Sequence, residues 1–138
     1  MKDAKHLSIR LKVEKAKSLL AEINVLIEHE FYSTAINRIY YACFHATKAI
    51  LLVKDIIPKT HSGVVAMLHK HFVSEELFDI EKASFFSKLM QERVDDDYSD
   101  HVIVAKQTVE EFFEQAKEYV DYIQGLIEQS DIGNTYFS

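Results

Sequence analysis

The sequence predicts an all-α protein, an up-and-down bundle of four to five helices. Glycine and proline are scarce, with 3 Gly and 1 Pro in 138 residues, whereas sheets with tight turns use both residues at many turn positions. Five segments carry apolar residues at intervals of three or four, which is the period of amphipathic helices. The connections between these segments are short, and short connections favour antiparallel neighbours.

The first two helices are predicted over residues 5–29 and 32–54. The apolar stripe of the first helix consists of Val13, Ala16, Leu20, Ile23 and Ile27. The second stripe is rich in alanine, which lets another helix approach closely. It consists of Ala35, Ile39, Ala42, Ala46, Ala49 and Val53. Because Tyr40, Tyr41 and Phe44 add apolar surface outside this stripe, the second helix is expected to be central, or to face both a core and a partner.

The third and fourth helices follow a break at Pro58, since proline disfavours helix in the residue before it. Thr60 is expected to cap a short third helix. Ser74 or Asp79 is expected to cap the fourth helix. The fourth helix is predicted to end near Val94, because three aspartates, which are poor helix formers, follow it.

The last helix is predicted over residues 102–129, with Ser99 or Asp100 as its cap. It has the strongest apolar stripe, which consists of Val109, Phe112, Phe113, Ala116, Val120, Ile123 and Ile127. A content of 48% hydrophobic and 28% charged residues is typical of a folded domain. We therefore expect a single domain over residues 1–138, with a frayed tail from Ser130.

Three features predict a cytoplasmic protein that does not enter the membrane. Cys43 is the single cysteine and cannot form an intramolecular disulfide, which is typical of a reducing compartment. No apolar run approaches the roughly 18 residues of a membrane span. The first residues lack the apolar core of a signal peptide.

Charge is unevenly distributed along the chain. The net charge of −6 argues against a nucleic-acid binder whose whole surface is basic. Residues 1–17 carry six basic and two acidic side chains, a net of +4, so the remainder sums to −10. The first helix therefore presents either a local basic face or, as is more common on helices, separate solvated lysines.

The sequence predicts no metal site and no cofactor. His69 and His71 are two positions apart, which places them on different sides of a helix, and there is no pair of cysteines. Glycine-rich phosphate-binding loops are absent from the sequence. Cys43 lies in an apolar stretch and is expected to be a small buried hydrophobe rather than a nucleophile.

Two groups of residues are candidates for a functional site. On the second helix, Arg38, Tyr41 and His45 follow one another at three and four positions and so lie on one flank. The alternative is that they are packing residues with polar tips. In the stretch "QERVDDDYSDH", residues 91–101, Arg93 and His101 flank a helix junction and could converge there. The alternative there is a charged helix end held by local pairing.

The order of these motifs resembles the small prokaryotic HEPN proteins. In "YSTAINRIYYACFHATKAIL" an A-x-x-R-x-Y-Y-A pattern precedes "HSGV", and an arginine followed by "DDDY" comes before the last helix. The resemblance extends over residues 5–129. It implies a bundle of four or five helices that dimerises, with a cleft between the two subunits.

The resemblance also implies an activity and partners. Many HEPN proteins are metal-independent RNases with an R-x4-6-H motif, and many small ones are toxins paired with a minimal nucleotidyltransferase antitoxin. Arg93 matches the motif arginine; His101 follows at R-x7-H spacing, and Tyr98 stands at the fifth position after Arg93. Arg93 and His101 are thus the candidate catalytic residues of an endoribonuclease. Tyr98, Arg38, Tyr41 and His45 are the candidate ligand-binding residues.

The resemblance leaves a second interpretation open. The chain could instead be a non-catalytic nucleotide-binding or adaptor domain that associates with a nucleotidyltransferase. Its partners would then be a nucleotide and that protein, whereas the first interpretation implies RNA and an antitoxin. A homodimer is expected in either case.

Overall fold

The structure is a computed structural model that describes residues 2–98 and 105–130, with side chains described for residues 3–92 and 105–130. This part of the chain contains five helical segments and no strand, as predicted. The first segment is divided at Glu22. The α-helices are therefore α1 (Lys2–Ala21), α2 (Ile23–Glu28), α3 (Tyr32–Val53), α4 (His61–Leu68), α5 (Ile80–Tyr98) and α6 (Lys106–Glu128). A π-helical turn over His69–Val73 extends α4.

Three predicted boundaries were wrong, one of them the start of the last helix, which begins at Lys106 and not at residue 102. The first helix is not continuous, because the Glu22 N–H donates to the carbonyl of Leu19 at 3.2 Å, a tighter bond to the third preceding residue. The fourth helix does not end near Val94 but continues to Tyr98. Aspartate lowers helix propensity by less than about 1 kcal/mol per residue, which is too little to stop a helix that is already formed.

Helix α3 is the centre of the bundle. It contacts α1, α2, α4, α5 and α6. Its alanine stripe is fully buried, with no exposed area at Ala35, Ala42, Ala46 and Ala49. None of the exposed large apolar side chains in the described residues belongs to α3. The wide apolar surface of this helix is therefore used within the chain, which confirms the central position.

Polar contacts stabilise the N-terminal ends of the helices around α3. Lys5 donates to the Val53 carbonyl at 3.0 Å, so the start of α1 lies beside the end of α3. Thr60 caps α4 by accepting the Gly63 N–H at 2.9 Å, as predicted. Of the two candidate caps for α5, Asp79 accepts the Lys82 N–H at 3.3 Å. Neither Ser99 nor Asp100 caps α6, because the N-cap residue of that helix is Ala105, which makes no side-chain bond there. The chain after Ser130 lies outside the described residues.

No helix among the described residues combines the length and the apolar content that crossing a bilayer requires.

A buried polar contact joins α3 to α6. The Thr47 hydroxyl donates to the Cys43 carbonyl at 2.7 Å and lies 2.6 Å from the Tyr119 hydroxyl. Neither Thr47 nor Tyr119 has any exposed area. Burial raises the pKa of Tyr119 well above its usual range, so the phenol stays protonated and donates to Thr47. Each hydroxyl is satisfied by this arrangement, as buried polar groups require.

We expect Thr47→Val to lower the free energy of unfolding by about 1–3 kcal/mol, because it leaves the buried Tyr119 hydroxyl without a partner. The double variant Thr47→Val with Tyr119→Phe should lose less than the two single variants combined, since it removes both hydroxyls. Urea denaturation of the four proteins measures the coupling. Strictly additive losses would contradict a direct bond between the two groups.

Candidate functional site

Two motif segments that are far apart in sequence meet at the start of α4. The Tyr40 hydroxyl lies 2.6 Å from Nδ1 of His61. The His61 ring stacks on Phe44 with centroids 4.3 Å apart, and Tyr41 meets it edge-on at 5.8 Å. Phe86 of α5 stacks on Tyr40, with ring centroids 6.1 Å apart. We call these five residues the aromatic cluster.

The loop between α3 and α4 places His61 in the aromatic cluster. His61 pairs with Tyr40, which lies thirteen residues before Val53 at the end of α3. Those thirteen residues rise roughly 20 Å along the helix, so the loop of residues 54–60 must run back along α3 in an extended form. The Thr60 cap then orients the first turn of α4, in which His61 is the first residue.

The structure brings together two of the three candidates on α3. The Tyr41 and His45 rings lie side by side, with centroids 6.3 Å apart. Arg38 does not join them in an ion pair or ring contact of the described residues, since its Nε lies 3.6 Å from the Glu22 carboxylate. The carboxylate comes from the turn between α1 and α2. Arg38 therefore ties α3 to that turn.

His45 has a perturbed environment. It is partly buried, and burial is the main cause that lowers its pKa to about 4. The ammonium groups of Lys48, Lys15 and Lys12 lower it further. The His45 imidazole is thus neutral near pH 7, and it can accept a hydrogen bond but carries no charge for a phosphate.

The remaining candidates lie on or beyond the C-terminal part of α5. Arg93 and Tyr98 belong to α5, but their side chains are outside the described residues. His101 lies outside them altogether. The convergence of Arg93 and His101 stays a prediction.

His61 is the functional candidate that sequence reasoning missed. Its tyrosine partner stands 21 positions earlier, so no local spacing links the two. The available signal was the "HSGV" motif, which was interpreted only as the start of a helix. A histidine at a helix start, next to a predicted cap and within a motif, indicated a functional residue.

The described residues offer no set of three or more His, Cys, Asp or Glu side chains that could hold a metal ion. Cys43 is fully buried, and burial raises the pKa of its thiol. A raised pKa disfavours the thiolate that nucleophilic attack requires. The chemistry available at the aromatic cluster is therefore that of imidazole and phenol groups.

Comparison with known proteins finds one family. A family model described as "HEPN domain" matches residues 9–126. A Thermotoga maritima relative named "UPF0332 protein" is 32% identical over 114 residues, 83% of this chain and 86% of the relative. In Methanocaldococcus jannaschii, "Putative toxin MJ0142" is 37% identical over 98 residues, 71% of this chain and 67% of the relative. From the same organism, "Putative toxin MJ0605" is 31% identical over 121 residues, 88% of this chain and 90% of the relative.

We expect His45 to make the protein less stable in mild acid. Its pKa is about 4 when folded and about 6.5 when unfolded. Between these values the unfolded chain binds a proton that the folded protein excludes. Stability is therefore complete above pH 6.5 and falls as the pH drops toward 4. The expected loss between pH 7 and pH 5 is about 1 kcal/mol, after allowance for solvent screening of a partly exposed group.

Urea denaturation of wild type and His45→Gln at the two pH values measures this loss. The variant should lose about 1 kcal/mol less than wild type between them. The matched control is His29→Gln, which changes an exposed histidine. Equal pH dependence in wild type and His45→Gln would show that His45 does not cause the loss of stability in acid.

Proposed function

Because this chain belongs to the HEPN domain family, we propose that it is a toxin-like protein of a toxin–antitoxin pair that acts on RNA. Two relatives carry the name "Putative toxin", which supports the toxin part of the proposal. The partner would be an antitoxin of the minimal nucleotidyltransferase type that the sequence resemblance implies.

The observation that carries the proposal is the convergence of the motif segments. Tyr40 and Tyr41 come from the motif on α3, and His61 comes from the motif at the start of α4. Phe86 brings α5 against the same cluster. Arg93 follows Phe86 by seven residues on α5, about two helical turns. Packing alone would not require the motif residues of α3 and α4 to gather at one place.

The proposed chemistry is metal-independent cleavage of the RNA backbone. The ribose 2′-oxygen attacks phosphorus, the bond from phosphorus to the 5′-oxygen breaks, and a 2′,3′-cyclic phosphate and a 5′-hydroxyl result. A histidine takes the 2′-hydroxyl proton and returns a proton to the leaving oxygen. We assign that role to His101, and to Arg93 the stabilisation of charge on the phosphorane by a bidentate guanidinium.

The ligand-binding assignments follow from the same proposal. Tyr98 and Tyr41 would stack on bases of a single-stranded substrate, as aromatic side chains commonly do. A neutral His45 beside Tyr41 would accept a hydrogen bond from a base or a ribose hydroxyl. Arg38 is assigned a phosphate contact, for which it must leave the exposed pair with Glu22. An exposed pair of this kind costs little to break.

A non-catalytic nucleotide-binding or adaptor domain is the second candidate. The spacing from Arg93 to His101 favours it, because R-x7-H is longer than the R-x4-6-H of nucleases in this family. The net charge of −6 also favours a protein partner or a small ligand over a long RNA. Under this proposal Arg93 and Tyr98 bind a phosphate and a base without cleavage.

We expect Arg93→Ala to abolish RNA cleavage and growth inhibition with a change in unfolding free energy below about 1 kcal/mol, since a surface ion pair is worth little. Arg93→Lys should also be inactive, because lysine lacks the bidentate fork. Lys88→Ala removes an exposed charge from the same helix and should retain activity. If Arg93→Ala unfolds the protein and the wild type binds neither RNA nor nucleotide, the segment is a structural charge network and the proposal is wrong.

His101→Ala distinguishes the two candidate functions. For a nuclease, cleavage falls by about 10²–10⁴-fold, the usual contribution of a general acid or base, while RNA affinity is kept. For an adaptor, the wild type binds nucleotide without cleaving RNA, and His101→Ala leaves that binding unchanged. Cleavage of a fluorescent RNA and equilibrium binding of the same RNA are the two measurements.

We also propose a homodimer, with the site at a cleft between the subunits as the resemblance implies. Light scattering at micromolar concentration should give twice the mass of one chain. Mixing Arg93→Ala with His101→Ala should restore some activity if each cleft takes its two groups from different subunits. A monomer in solution would rule out a shared cleft.

A further inference from the structure

A cavity of about 430 Å³ lies between α1, the C-terminal half of α3 and the loop of residues 54–58. This volume is within the range of small-molecule sites. Leu52 in its wall comes twelve residues after Tyr40 on α3, roughly 18 Å along the helix axis. The Leu52 end of the cavity is therefore distant from Tyr40, whereas Lys48 at its other end reaches Phe44 of the aromatic cluster.

Two ammonium groups line one side of the cavity. Lys12 donates to Ser8 Oγ at 2.8 Å, and the Lys48 ammonium lies 5.2 Å from the centroid of the Phe44 ring. Neither lysine forms an ion pair with a carboxylate of the described residues. Burial and the nearby Lys48 lower the pKa of Lys12. Two like charges are thus held near each other without a counter-ion among the described residues.

The one carboxylate in the wall does not neutralise them. Asp55 lies 3.0 Å from Lys5, and Lys5 also donates to the Val53 carbonyl at 3.0 Å. Lys5 and Asp55 therefore cancel one another at the rim. The net charge at the cavity is that of Lys12 and Lys48, although the whole chain carries −6. An anion placed between the two ammonium groups would relieve their repulsion.

Another part of the lining is apolar. It consists of Leu52, Ile56, Ile57 and Pro58, with Ala4 at the edge. Ile57 is 73% exposed, the largest exposed fraction among the exposed large apolar residues that the structure describes. An inorganic anion would leave this wall in water, whereas a ligand with an apolar body would cover it.

We propose that this cavity binds a small amphipathic anion, with a phosphate or carboxylate head between Lys12 and Lys48 and an apolar body against Leu52 and Ile57. The charge of the head matches the ammonium groups of Lys12 and Lys48, which form no ion pair with the carboxylates that the structure describes. The apolar body matches the exposed wall. A small inorganic anion would match only the lysines, and a neutral apolar molecule would match only the apolar wall.

Octyl phosphate is the probe, titrated into the full chain by calorimetry below its micelle-forming concentration. It should bind saturably. Octylammonium has the same chain and the opposite charge, and it should not bind. Inorganic phosphate has the head without the chain, and it should bind about ten-fold or more weakly. Equal binding of octyl phosphate and octylammonium would show an unspecific apolar surface and overturn the proposal.

Charge and apolar variants test the two halves separately. Lys12→Gln with Lys48→Gln should weaken octyl phosphate binding about ten-fold or more. The control Lys17→Gln with Lys106→Gln removes two exposed charges elsewhere and should bind like wild type. Ile57→Ser should weaken binding of octyl phosphate but not of inorganic phosphate. Unchanged binding in the Lys12 and Lys48 double variant would overturn the proposal.

His45 supplies an independent readout, because its pKa responds to the two lysines that line the cavity. Lys12 and Lys48 both help to lower its pKa to about 4, so an anion between them should raise that pKa. Nuclear magnetic resonance of the imidazole, assigned by the signal lost in His45→Gln, follows the shift. Binding to phosphatidylglycerol vesicles without binding of octyl phosphate would indicate a membrane headgroup and contradict a small-molecule site.

Discussion

Helices α1, α2, α4, α5 and α6 all pack on α3, and small side chains make this arrangement possible. An alanine at the contact lets two helix axes come near the short end of the usual 8–10 Å range. The buried alanines of α3 lie on one stripe along most of its length. The same helix must then supply the larger residues that fill the spaces between its neighbours, and Tyr40 and Leu51 are among them. A helix surrounded in this way leaves little of its own surface for a partner.

The central helix also separates two kinds of polar site. Toward its N-terminal half, Tyr40 and Tyr41 meet His61 in an aromatic cluster that has hydrogen-bonding groups. Toward its C-terminal half, Lys48 lies beside a cavity that Lys12 also lines, and its ammonium reaches Phe44 of the cluster. His45 contacts Tyr41, and the charges of Lys12 and Lys48 lower its pKa. The protonation of His45 is therefore sensitive to the charge of the cavity lysines.

Family membership and geometry support different parts of the proposed function. The match over residues 9–126 establishes the family, and the relatives' names point to toxins. Geometry adds that the motif residues of α3 and α4 are in contact and that α5 lies against them. The proposed cleavage of RNA assigns its two chemical roles to Arg93, which follows Phe86 on α5, and to His101.

The sequence by itself determined the helical class, the approximate positions of the five segments and the cap at Thr60, whereas for α5 it left Ser74 and Asp79 as alternatives. These features depend on local periodicity and on bonds within one turn, which a sequence shows directly. It did not reveal the break at Glu22 or the length of α5, because each depends on a difference of about 1 kcal/mol or less in the free energy of helix formation. Only the tertiary structure decided which polar groups meet. Tyr40 and His61 are 21 residues apart, and Lys12 and Lys48 are 36 apart, so helix packing and a loop folded back along α3 were needed to bring each pair together.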